Sequence, residues 1–131
     1  MRKTVQAAIL FLLVSVVATA AYFPAVLDDI SLAIRSGNAR EVAKYFDTSV
    51  EVTIHNESKV YSKQQAEMVL KDFFTKNPVS SFNIIHKGSS NEGSQYGIGT
   101  LLTGGGSFRT YIYIKQKGDA FFVQEMRFEK D

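Results

Sequence analysis

Beyond Pro78 the chain holds four segments of alternating residues, Phe82–Lys87, Gln95–Thr103, Phe108–Lys115 and Phe121–Phe128. Between them lie "GSSNEG", "GGGS" and "KGDA". Period-two alternation is what a strand with one buried face produces, and glycine, serine and aspartate clusters supply the turns. Four successive strands on short turns run most simply as an antiparallel meander. A meander with one wet face must bury the other, so the residues before Pro78 have to cover it.

That cover reads as helical. In "PAVLDDISLAIRSGNAREVAKYF", Val26, Leu27, Ile30, Ala33 and Ile34 recur at helical spacing, and Pro24 suits a first turn. Gly37-Asn38 ends the run, and a second short helix carries Val42, Ala43 and Phe46 on one side. "SVEVTI" then alternates, with Val50, Val52 and Ile54 on one face, and "ESKVY" returns as a short second strand. "SKQQAEMVLKDFFTKNP" is the strongest helix. Ser62 and Gln65 form a capping box, Ala66, Val69, Leu70, Phe73 and Phe74 make the stripe, and Pro78 ends it. Helices early and strands late define an α+β fold, with the sheet curled around the third helix.

The first twenty residues read as a signal peptide. Arg2 and Lys3 are followed by the apolar stretch Ala7–Val17 and by the small-x-small site Ala18-Thr19-Ala20. Cleavage leaves a single domain, residues 21–131, and an exported protein, periplasmic or extracellular, with no membrane attachment after cleavage. An uncleaved anchor is the competing reading, but the apolar core is short of the roughly 20 residues that span a bilayer. The chain has no cysteine, so disulfides, thiolate metal sites and lipidation at cysteine are excluded. Removing Arg2 and Lys3 leaves thirteen basic against thirteen acidic residues. A neutral domain argues against nucleic acid or anionic lipid as a partner.

The glycines of "YGIGTLLTGGGSFRTYI" invite a phosphate-loop reading. Gly99 and Gly104 have the spacing, but Gly105 stands where a lysine is required, and the β-branched segment that follows is no helix. Leu102 likewise breaks the dinucleotide pattern begun by Gly97 and Gly99. Gly104–Gly106 therefore read as a hairpin turn, and Gly97 and Gly99 as one bare strand face that lets the strand bend or a neighbour approach. No cofactor is called for. The two histidines lack an in-phase carboxylate, which leaves no metal site.

Strand phase sets the remaining candidates. His86 is in phase with Phe82 and Ile84 and is expected to point toward the core; His55 is expected in an exposed loop. The inferred core faces are Tyr96, Ile98, Thr100 and Leu102; Phe108, Thr110, Ile112 and Ile114; and Phe122, Gln124, Met126 and Phe128. They place His86, Tyr96 and Gln124 as polar groups of an interior pocket, with no carboxylate beside them. The opposite faces carry Arg109, Tyr111, Tyr113 and Lys115, with Phe121, Val123, Glu125 and Arg127 beside them and Glu125 in reach of Arg109 or Lys115. Exposed aromatics among charges suit a protein partner or a homodimer.

The element order resembles the nuclear transport factor 2-like, or cystatin-like, superfamily, through "IRSGNAREVAKYF", the β-pair and "YSKQQAEMVLKDFF". With "SGNA", "FNIIHKG", "YGIGTL" and "FRTY", the chain also looks like a bacterial family of small exported proteins defined by a domain of unknown function. The resemblance covers most of residues 24–129. It implies a cone-shaped α+β fold, three N-terminal helices on a curved, mostly antiparallel sheet enclosing a pocket. Superfamily members use that pocket as an isomerase or dehydratase site, as a ligand receptor, or not at all, and often dimerise through the sheet. Three expectations follow, in this order. The first is a non-catalytic binding module with a small apolar ligand held by His86, Tyr96 and Gln124. The second is an interaction or dimerisation domain using Arg109, Tyr111, Tyr113 and Glu125. The third is an isomerase or dehydratase with His86 as base.

Overall fold

The computed structural model describes residues 26–131. The expected signal peptide, its expected cleavage site and Pro24 lie outside them. The element order is α1 (Val26–Arg35), α2 (Ala39–Ala43), β1 (Phe46–Ile54), β2 (Glu57–Ser62), α3 (Lys63–Lys76), β3 (Val79–Ser89), β4 (Gln95–Thr103), β5 (Gly106–Lys117) and β6 (Ala120–Lys130). The sheet order is β2-β1-β6-β5-β4-β3. Every pairing is antiparallel except β1 with β6, which is parallel. The meander is therefore β3 to β6, and the β1–β2 hairpin joins it on the far side of β6. The fold is α+β with a curved, mostly antiparallel sheet.

The helices form where the periodicity put them. α1 buries Leu27, Ile30, Ala33 and Ile34, and the Ser31 hydroxyl is satisfied by the Leu27 carbonyl at 2.8 Å. α3 opens on the reciprocal Ser62–Gln65 capping box and buries Ala66, Leu70, Phe73 and Phe74. The phenylalanines of α3 meet those of the sheet: Phe73 lies 5.1 Å from Phe108 and 4.5 Å from Phe128, centroid to centroid. Together with Phe46 and Phe82 these rings fill the space between helices and sheet. One element boundary moves. Phe46 opens β1 instead of closing α2, because the Tyr45 carbonyl accepts the Val123 N–H at 2.7 Å and draws the chain into the sheet.

The hairpin turns are as expected. Gly104-Gly105 connect β4 to β5, with Thr103 paired to Gly106. His55 is exposed at the tip of the β1–β2 hairpin. The face of β4 is the reverse of the expected one. Gly97, Gly99 and Leu101 are buried, while Tyr96 and Leu102 are exposed. Counting apolar side chains misled here because the bare positions are the ones filled by neighbours. A Cβ on Gly97 would lie 2.8 Å from Leu27 Cδ1, and one on Gly99 would lie 2.7 Å from both the Asn83 carbonyl oxygen and the Phe82 ring. The glycines are absent side chains whose volume α1 and β3 occupy.

Candidate functional site

Two β-bulges rearrange the residues singled out from the sequence. On β3 the register slips between Ile84, opposite Gly99, and His86, opposite Ile98. One extra residue inverts every side chain after it. His86 therefore shares the solvent face with Ile98 and is exposed, not directed at the core. On β6 the slip falls between Val123, opposite Ile114, and Glu125, opposite Tyr113. Val123 is buried and Phe121 packs against the core, so both leave the outer face assigned to them. Gln124 is the extra residue.

Gln124 has a definite task. Its Nε2 donates to Asp47 Oδ2 at 2.6 Å, the Lys117 ammonium bonds the same oxygen, and the Thr48 N–H donates to Oδ1 at 2.7 Å. Asp47 is buried at the start of β1, where the β1–β6 register also shifts. The Gln124 bond first, then Lys117 and the Thr48 N–H, hold its carboxyl down at about 2 against the pull of burial. Sequence phase missed this cluster, since Asp47 precedes the alternating stretch of β1 and Lys117 lies beyond that of β5. The bulge brings the three together.

The outer face of the sheet collects what remains. Cross-strand register sets Ile98, Tyr111 and Arg127 in one row, Tyr96, Tyr113 and Glu125 in the next, and Thr100, Arg109 and Glu129 in a third. Tyr111 is flanked by Arg109 and Arg127, whose guanidinium carbons each stand 5.6 Å from its ring centroid. Arg127 also bonds Glu125 at 2.9 Å and Glu129 at 3.4 Å, so Glu125 pairs along its own strand and not with Arg109 or Lys115. These carboxylates, Glu125 foremost, raise the Arg127 pKa. Tyr96 spreads its ring over Gly88 of the neighbouring strand, where a Cβ would sit 2.5 Å from it, yet remains 47 % exposed. Tyr113 is 40 % exposed. A shallow hollow of about 260 Å³ lies among Tyr96, Ile98, Tyr111, Tyr113, Glu125 and Arg127.

His86, Tyr96 and Gln124 thus do not converge on an interior pocket. His86 and Tyr96 belong to the outward face of β3 and β4, and Gln124 belongs to the Asp47 cluster. Arg109, Tyr111, Tyr113 and Glu125 do share one face. His86 also borders an open groove of about 470 Å³ between α1 and β3, with Asp28, Arg35 and Lys87.

Comparison with known proteins fits this architecture. The model of the Domain of unknown function (DUF4783) matches residues 27–129. The chain belongs to the DUF4783 family. A DUF4783 family protein from Bacteroides ovatus is 33 % identical, superimposes with a TM-score of 0.76, and is matched over 79 % of this chain and 93 % of its own. A domain of unknown function with a cystatin-like fold from Nostoc punctiforme is 7 % identical, with a TM-score of 0.63 and coverage of 82 % and 74 %. The protein called Rd1NTF2_04 with long sheet is 15 % identical, with a TM-score of 0.61 and coverage of 78 % and 94 %. The last two share the fold alone. No curated protein matches the chain. The DUF4783 family is one of unknown function, with a fold of the nuclear transport factor 2-like and cystatin-like kind.

Proposed function

We propose that this DUF4783 protein is an exported, non-catalytic interaction module that holds a protein partner on the outer face of its sheet. The observation that carries the reading is the row structure of that face. Tyr96, Tyr111, Tyr113 and Ile98 form an aromatic and aliphatic centre, and Arg109, Arg127, Glu125 and Glu129 surround it. An aromatic centre ringed by arginines and other charges is the composition of a recognition surface. The arginines are already ordered against Tyr111 and the glutamates, which lowers the entropy lost on docking.

A small apolar ligand inside the cone has less support. Phenylalanines occupy that space, and the three polar groups expected to hold the ligand face elsewhere. An isomerase or dehydratase would need His86 beside a carboxylate. Asp28 and His86 share only the walls of a groove open to solvent.

A photo-crosslinking side chain at Tyr113, introduced in the cells that make the protein, tests the reading. A discrete protein adduct is expected there, and none from the same group at Met68, which is more exposed, on α3. Ile98→Asp should abolish the adduct without lowering Tm. Equal adducts at both positions, or none at Tyr113, overturn the proposal. An adduct whose partner is the same chain identifies the homodimer. Export belongs to the same proposal and rests on the Arg2-Lys3, Ala7–Val17 and Ala18–Ala20 pattern. A secreted or periplasmic product beginning at Ala21 is its expected outcome.

A further inference from the structure

The two edges of the sheet are unlike. β3 slips register twice, after Val79 and after Ile84. The Arg35 Nε caps its Phe82 carbonyl at 2.7 Å. Bulges and caps of this kind block strand addition. At the other edge, β2 runs opposite β1 without a slip, from Glu57–Ile54 to Ser62–Ser49. Among the described residues no strand covers its free side.

The turn shows which backbone groups are free. His55 and Asn56 form a two-residue hairpin loop with φ of 53° and 63°. Such a loop is closed by a hydrogen-bonded pair, here Ile54 and Glu57. Glu57, Lys59 and Tyr61 therefore direct their backbone groups to β1, and Ser58 and Val60 direct theirs outward. The 2.6 Å contact between the Thr53 and Ser58 hydroxyls fits the closer, non-hydrogen-bonded pair. Ser62 would follow Val60, but its N–H is taken by Gln65 in the capping box. Val60, 71 % exposed, is the apolar residue at the centre of this edge.

We propose that β2 pairs antiparallel with β2 of a second copy about a two-fold axis at Val60. An axis perpendicular to the sheet keeps both outer faces on one side, so opposed residues must share a face. With Val60 opposite the partner's Val60, the free N–H and C=O of each valine bond the other. The Ser58 N–H meets the partner's Ser62 carbonyl. Lys59 lies opposite the partner's Tyr61. Sliding one way by a single face-preserving step sets Lys59 against the partner's Lys59, and like charges directly opposed are destabilising. Sliding the other way sets Val60 against Ser62, whose N–H is occupied. The pairing would lay two outer faces side by side in one continuous sheet.

The chain has no cysteine, so one introduced thiol reports the pairing without background. A hydrogen-bonded antiparallel pair holds its Cα atoms about 5.5 Å apart, inside the range a disulfide spans. The full chain carrying Val60→Cys is expected to give a covalent dimer under mild oxidation, at least tenfold faster than Met68→Cys, an equally exposed site on α3. Val60→Pro removes an N–H that β1 does not use, so Tm should hold while the dimer is lost in sedimentation equilibrium. If that variant does not fold, the thiol comparison decides alone. Crosslinking of Val60→Cys no faster than of Met68→Cys overturns the pairing, and faster crosslinking of Ser58→Cys overturns the register. None of these outcomes depends on the partner proposed for the outer face.

Discussion

Gly97 and Gly99 show how much one missing side chain determines. Both are filled by neighbours, but the neighbours differ in give. The atoms next to Gly97 are methyl ends of Leu27 and Ile84, which can turn; next to Gly99 stands a backbone carbonyl. Gly99→Ala should therefore destabilise by about 1–3 kcal/mol, and Gly97→Ala by less, in paired denaturant titrations. Gly97→Val is expected to cost more than Gly97→Ala, since its branches meet Leu27 in the core. Thr110 presents the opposite case. Its hydroxyl is buried without a partner among the described residues. Thr110→Val keeps the shape and removes the orphan, so Tm should rise, by about 1 kcal/mol of stability or more. A fall in Tm would show that the hydroxyl has a hydrogen-bond partner.

At the scale of the element, the β6 bulge joins three strands through one carboxylate. The folded Asp47 pKa, about 2, lies below its ordinary 3.8. Its contribution is complete above the unfolded value and is lost as pH falls from 3.8 toward 2. The shift corresponds to roughly 2 kcal/mol, less what solvent screens at the half-exposed lysine. Asp47→Asn should lower stability at pH 7 and flatten its pH dependence in that acid window, measured by urea midpoints. An unchanged acid slope would contradict the assignment. Helices and bulges differ in legibility. α3 was readable because its stripe, capping box and terminating proline are all local. Neither bulge was readable, because a bulge is chosen by two strands together. The slips on β3 and β6 answer to Gly99, Ile98, Ile114 and Tyr113 on their neighbours. A slip reverses phase between its two sides, so one continuous phase that fits Phe82 misplaces His86 after the β3 slip, and one that fits Met126 and Phe128 misplaces Gln124 at the β6 slip and Val123 before it.

For the whole molecule, one core joins all the elements, and Phe73 touches both Phe108 and Phe128 within it. Phe73→Ala should cost about 3–5 kcal/mol, and unfolding should remain one transition by fluorescence and circular dichroism alike. Loss of a single element with the remainder intact would show two cooperative units. The element order, the α+β class, the helix stripes and caps, and the turns are all legible in the residues alone. Those are set within one turn of helix or one strand, where neighbours along the chain are neighbours in space. The buried face of β4, the direction of His86, the bond from Gln124 to Asp47 and the open edge of the sheet emerge only when the strands pair. Each of these depends on register between strands distant in sequence, and a one-residue change in register reverses the outcome.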